Sequence, residues 1–177
     1  MIQTERLVLR PWREADKPGF AAIINTPAMM RHFGGVQPRA AIDALIDQQM
    51  ASQAADGCSM WAVELGGALA GICGVRWQCF YPGRIPVDGE LEIGWRIGER
   101  WWGRGVAREA AEASLTWAWA NTPAPRVAAW TSAGNTRSWG LMERLAMRRA
   151  PELDFRHPKV AADDPDGAMI VYLADRP

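Results

Sequence analysis

The chain has 177 residues, 49 % apolar and 23 % charged, a composition that suits a folded globular domain and excludes a disordered or fibrous protein. Twenty basic residues balance twenty acidic ones, so no long-range field gathers nucleic acid or an anionic membrane, and any anion has to be held locally. Three cysteines (Cys58, Cys73 and Cys79) without CxxC spacing and two histidines (His32 and His157) write neither a disulfide framework nor a metal cluster.

The charged start Met1-Ile2-Gln3-Thr4-Glu5-Arg6 lacks the apolar run of a signal peptide, and no stretch reaches the ~18 apolar residues of a membrane span. The expected compartment is therefore the cytoplasm, and the length predicts a single domain over residues 1–177. Alternation around Leu7 and Leu9 predicts a strand over residues 5–10. Asp16 reads as a helix cap, with Pro18 in the first turn and Phe20, Ile23 and Ile24 at helical spacing as far as Asn25. A second helix follows Pro38 on the stripe Ile42, Leu45, Ile46 and Met50, runs to about Ala55 and stops at Gly57. Residues 59–65 and 69–79 read as a hairpin turned at Gly66-Gly67.

Glu90 to Ile97 alternates charged with apolar residues, so Leu91, Ile93, Trp95 and Ile97 share one strand face while Glu90 and Glu92 share the other. A helix follows Gly105 on the stripe Ala107, Ala110, Ala111, Ser114, Leu115 and Ala118. Val127 to Thr131 is a fifth strand, Thr136 to Leu145 a helix, and residues 147–155 and 168–174 close the chain as strands. Seven strands mixed with helices that do not strictly alternate predict an α+β or mixed α/β fold around a partly antiparallel sheet.

Trp101-Trp102-Gly103-Arg104-Gly105-Val106-Ala107 lies between a strand and a helix start, where glycines turn backbone N–H groups toward an anion and the helix end adds a favourable partial charge. A plain tight turn has the same letters. A dinucleotide fingerprint would need glycine where Arg108 stands, and a P-loop would need Gly-Lys-Ser/Thr, so both are excluded.

Gly103 to Ala110 resembles the acetyl-CoA pyrophosphate loop of the GNAT superfamily of N-acetyltransferases. Thr4 to Pro11 with Glu14-Ala15-Asp16 resembles the opening of its ribosomal-protein N-terminal acetyltransferase branch. Glu92-Ile93-Gly94-Trp95 is similar to its fourth strand, and Asn135-Thr136-Arg137-Ser138 with Leu145-Ala146-Met147 to the helix after its fifth.

The resemblance implies a mixed, mostly antiparallel, splayed sheet flanked by helices, with acetyl-CoA where the fourth and fifth strands part. It implies backbone groups of Arg96, Ile97 and Gly98 on pantetheine, N–H groups of Trp102, Gly103, Arg104, Gly105, Val106 and Ala107 on pyrophosphate, and Asn135 on the pantetheine arm. Arg104 and Arg137 are candidates for the cofactor phosphates, or else solvated surface arginines. Trp102 stands where the family usually has glutamine or arginine, and Met142 where many members have the tyrosine that protonates the leaving thiolate.

Acetyl transfer to an amine needs a proton acceptor and a tolerable leaving group but no covalent enzyme intermediate, so Cys73 and Cys79 read as apolar strand residues. Glu92 is the candidate base, directly or through water, with Glu90 in reserve; a solvated or arginine-paired glutamate is the other reading. By resemblance Ser138 assists the leaving thiolate, and its alternative is a helix-start serine satisfying backbone donors. Trp12, Met29, Met30, His32 and Phe33 fall where the family shapes its acceptor pocket, and ordinary packing would use the same residues.

The expected function is acetyl-CoA-dependent transfer to a primary amine, either a protein N-terminal α-amine or a small molecule. The alternative, which the missing tyrosine sustains, is a catalytically silent acyl-CoA-binding or regulatory module. Exposed tryptophans among the ten present would fit a homodimer.

Overall fold

One continuous sheet of nine strands organises the computed structural model, which describes all of residues 1–177. In spatial order the strands are β1 (Ile2–Gln3), β2 (Leu7–Arg10), β3 (Met60–Leu65), β4 (Ala68–Trp77), β5 (Leu91–Ile97), β6 (Arg126–Ser132), β9 (Ala168–Asp175) and β7 (Arg148–Arg149), and β8 (Phe155–Arg156) also pairs with β9. Every pairing is antiparallel except that of β5 with β6.

The predicted strand over 147–155 is broken in two. Pro151 has no N–H to give a ladder, and a 3-10 turn over Pro151–Leu153 separates β7 from β8. β4 ends at Trp77, two residues earlier than expected, and β1 carried too short a pattern to be read. No helix is long and apolar enough to cross a membrane.

Helix α4 (Val106–Asn121) covers one face of the sheet. Its buried residues Val106, Ala110, Ala111, Ser114, Leu115 and Ala118 pack on Leu7, Leu9, Val63, Val75, Leu91, Ile93 and Ile97, and the small side chains let helix and sheet approach closely. Cys73 lies in this layer with its Sγ 3.8 Å from Ser114 Oγ. Burial pushes its thiol up to about 12, so it has no thiolate to offer as a nucleophile.

The opposite face carries α1 (Lys17–Ile24), the short α2 (Pro27–Met30) and α3 (Arg39–Asp56), whose Phe20, Ile24, Met30, Ile42 and Ile46 cluster with Trp12, Ala62 and Ile72. Helix α5 (Thr136–Arg144) packs beside β6. None of the ten tryptophans is exposed, which removes the sequence-based argument for a homodimer.

Strand pairing opens a cleft in the sheet, and a side-chain clasp fixes the loop beside it. Parallel pairing of β5 with β6 covers only Leu91↔Val127 and Glu92↔Ala128, while β4 follows β5 to Ile97 and β9 follows β6 to Ser132. The sheet therefore opens between β5 and β6 from residue 93 onward. Asn25 closes the loop after α1 by exchanging hydrogen bonds with the Gln37 backbone, Nδ2 to the carbonyl at 2.7 Å and Oδ1 from the N–H at 2.9 Å. Residues 26–36 are thereby held as one loop.

Asp16 stands before α1, but its carboxylate does not cap that helix. It accepts from Arg10 Nη1 at 2.7 Å and Nη2 at 2.8 Å and from the Arg13 N–H at 2.8 Å. Arg10, itself buried, also donates from Nε to Glu64 at 2.8 Å, tying β2, β3 and the entry to α1 together. The Arg10 guanidinium holds the Asp16 carboxyl below the usual carboxylate range. That stabilisation is present above the unfolded-state pKa of about 3.9 and is lost as pH falls through the lower folded-state value. Asp16→Asn is expected to cost about 2 kcal/mol and to lower Tm by about 4–8 °C at pH 7. Melting curves from pH 7 down to 3 should show the variant losing less stability with acid than the wild type.

Candidate functional site

Strand geometry decides which backbone groups line the opening. The Gly98 N–H donates to the Ala70 carbonyl at 2.9 Å, and the register makes 98↔70, 96↔72 and 94↔74 the hydrogen-bonded pairs of β5 with β4. The main-chain groups of Arg96 and Gly98 are thus turned to β4, which corrects the expectation that they face pantetheine. Those of Ile93, Trp95 and Ile97 point to the β6 side, where the Ile93 N–H still serves the Glu92↔Ala128 step of the ladder and the Ile93 carbonyl and the groups of Trp95 and Ile97 meet the opening. Trp102 Nε1 donates to the Ile97 carbonyl at 2.6 Å, leaving the Ile97 N–H.

After β5 a 3-10 turn over Glu99–Trp101 leads into Trp102–Gly105 and then α4. Gly103 (φ 71°) and Gly105 (φ 75°) adopt left-handed backbone that side-chain-bearing residues resist. The N–H groups of residues 103–108 donate to no backbone carbonyl and surround the start of a sixteen-residue helix.

Arg6 fixes this loop from behind, donating from Nη1 to the Arg104 carbonyl at 3.1 Å and from Nε to Glu109 at 2.7 Å. Thr4 Oγ1 also donates to Glu109, at 2.5 Å. The Thr4-Glu5-Arg6 segment therefore anchors the glycine loop to β2. Trp102 and Arg137 meet across the opening, with the guanidinium 4.5 Å from the indole centroid. The Arg104 side chain is exposed.

Glu92 is the last β5 residue paired with β6 and faces the α1–α3 side. It is buried, and its Oε2 accepts from Gln78 Nε2 at 2.8 Å and from Arg76 Nη2 at 3.5 Å. Burial raises its pKa above the usual glutamate value, and Arg76 opposes that shift. It is thus shielded from bulk water, held by Gln78 and, at longer range, by Arg76. Glu90, the reserve candidate, is held by Arg126, with Nη2 donating at 2.5 Å.

The residues expected to shape an acceptor pocket divide. Trp12, Met29 and Met30 are packed in the core between helices and sheet, and Trp12 Nε1 donates to the Met60 carbonyl at 2.7 Å, so packing is their role. His32 and Phe33 instead sit at the rim. His32 Nδ1 lies 3.2 Å from Asp166 and 3.5 Å from Ser132 Oγ, and the Phe33 ring lies under the Arg96 guanidinium at 3.8 Å.

Four further residues complete this side: Arg76, Gln78, Tyr81 and Trp130. Trp130 is edge-on to Phe155, and Tyr81 Oη is 3.3 Å from His157 Nε2. Arg76 had a legible signal, being the one charge within the apolar strand β4. Trp130 had none.

At the other lip, Asn135 Nδ2 donates to Thr131 Oγ1 at 3.0 Å, which leaves its side-chain carbonyl open. Ser138 is half-buried in the first turn of α5; its N–H donates to the Asn135 carbonyl at 3.0 Å, and its hydroxyl caps no backbone donor. Met142 is buried in the core and carries no proton.

The Acetyltransferase (GNAT) domain description matches residues 6–148. YkkB, an uncharacterized protein of Bacillus subtilis (strain 168), is 27 % identical over 149 residues, covering 82 % of this chain and 84 % of its own. The acetyltransferase from Agrobacterium tumefaciens str. C58 superposes with a TM-score of 0.78 at 27 % identity, over 98 % of this chain and 92 % of that one. RimL, a ribosomal L7/L12 α-N-protein acetyltransferase solved with coenzyme A, shares the fold at 13 % identity, with a TM-score of 0.77 over 97 % of this chain and 95 % of its own. By the domain match, which spans both the parted strands and the glycine loop, the chain belongs to the GNAT family of acetyltransferases, which use acetyl-CoA as the acetyl donor.

Proposed function

We propose that residues 1–177 form a single N-acetyltransferase domain that moves acetyl directly from acetyl-CoA to a primary amine, with Glu92 receiving the amine proton. One observation carries this reading. The opening between β5 and β6 has its vertex at Glu92, and just past the end of β5 stand the unpaired N–H groups of residues 103–108.

Those residues suit the donor. Six unpaired N–H groups at a helix start favour a pyrophosphate, and the Trp95 and Ile97 edge can pair with the amides of an extended pantetheine as a strand would. Arg137, already over Trp102, is placed to meet a phosphate at the mouth. When bound, acetyl-CoA supplies an acetyl thioester already activated toward amines.

The remaining chemistry falls to the chain itself. Glu92, shielded from bulk water and raised in pKa, is a stronger base than an exposed carboxylate, while Gln78 and Arg76 keep it aimed. Ser138 is the hydroxyl available to hydrogen-bond the departing sulfur, since Met142 cannot. A thiol of pKa about 8.5 leaves readily enough for this assistance to be modest.

Calorimetric titration tests the cofactor assignment. Gly105→Glu, which puts a carboxylate at a positive φ inside the loop, is expected to abolish acetyl-CoA binding while the wild type binds in the micromolar range. Equal affinity in both proteins would refute the loop's role. For the base, Glu92→Gln should lower kcat by about 100-fold or more. The wild-type pH profile should rise as pH climbs through the raised Glu92 pKa, and the variant should lose that limb.

A further inference from the structure

Positive charge exceeds negative charge on the Glu92 side of the cleft. Residues 92, 94 and 96 of β5 share one face. At Gly94 a Cβ would lie 2.5 Å from the Met60 terminal methyl, so an apolar floor separates Glu92 from Arg96. The Arg96 guanidinium rests on Phe33 at 3.8 Å and has neither an ion pair nor a hydrogen bond within the protein.

Burial first, then the neighbouring Arg76, pulls its pKa down to about 10, so it remains a cation at neutral pH. Arg76 stacks on Phe80 at 4.3 Å, shares Glu92 only at 3.5 Å, and keeps its Nε–H buried with no acceptor. The Trp130 Nε1–H is likewise buried and unpaired. Two guanidinium groups and one indole thus share a sheet face with a single carboxylate that Gln78 already occupies in part.

Shielded cations and N–H donors without acceptors are costly. Their concentration beside the base is a ligand-shaped deficit: what is missing is an anion. The phosphate-binding N–H groups of residues 103–108 belong to the α4 side, beyond the end of β5, whereas Arg76 sits directly across from Glu92 and Arg96 shares the opposite, Glu92 face of the strand.

We propose that the amine acceptor itself carries an anionic group, a carboxylate or a phosphate, which Arg96 and Arg76 bind while the amine lies at Glu92. The proposal rests on the acetyl-transfer reading above and names its substrate class. Glu92 and Arg96 lie about 13 Å apart along the strand at their Cα atoms, enough for a small zwitterion over the Met60 methyl. The arrangement also serves the chemistry: two arginine charges beside the ammonium lower its pKa and enlarge the neutral fraction that can attack.

The test measures thiol release at saturating acetyl-CoA with matched amines: free amino acids against their amides, and phosphoethanolamine against ethanolamine. The anionic member of a pair should win by about ten- to a hundredfold in kcat/KM, with KM carrying most of the difference. Preference within the amino-acid pairs assigns a carboxylate, and within the other pair a phosphate. Arg96→Gln should collapse the ratio and Arg96→Lys restore part of it, in variants whose Tm shows them folded.

Turnover of neutral or cationic amines alone, or a ratio that survives Arg96→Gln, would overturn the proposal while leaving acetyl transfer intact. So would calorimetry and turnover that find no anionic amine engaging the CoA-loaded protein. Failure of acetyl-CoA itself to bind would sink the underlying reading, and this proposal with it.

Discussion

A parallel ladder two residues long is all that joins β5 to β6, and the rest of the site depends on its shortness. Were the pairing to continue, the main-chain groups of Trp95 and Ile97 would be spent on β6 and the opening would close. Each diverging strand keeps a full partner on its far side, β4 for β5 and β9 for β6, so both remain rigid although they separate. Rigid strands with one free edge each form a slot whose walls need no reorganisation when an extended molecule enters.

The two faces of the sheet then divide the work. On the α4 side, small residues bring the helix start and its glycine loop close to the end of β5, and the Arg6, Thr4 and Glu109 cluster holds the loop from behind. On the α1–α3 side, the loop closed by Asn25 and Gln37 brings Phe33 against Arg96 and His32 to Ser132 and Asp166. The two faces thus offer separate approaches to the vertex at Glu92.

Legibility in the sequence followed how local each cause was. Strand β5 and helix α4 were readable because alternation and a 3.6-residue stripe are written in consecutive residues, and the glycine loop because positive φ demands glycine. Trp12, Met29 and Met30 were ambiguous, since a core and an apolar pocket ask for the same side chains. Arg76 and Trp130 reach Glu92's neighbourhood only through strand register, which is set by the intervening turns. Arg96 and Gly98 were misdirected for a related reason: which strand edge a backbone group faces alternates, and a single cross-strand bond fixes the phase. Pro151 did carry its warning locally, as a residue that cannot join a ladder.

The central claim is that acetyl-CoA lies along the free edge of β5 with its phosphates on the glycine loop. Amide hydrogen exchange with and without CoA reads this at the backbone. The account predicts added protection in peptides covering residues 93–98 and 103–108, with little change across β1, β2 and β7. Protection elsewhere with none on the β5 edge would contradict it.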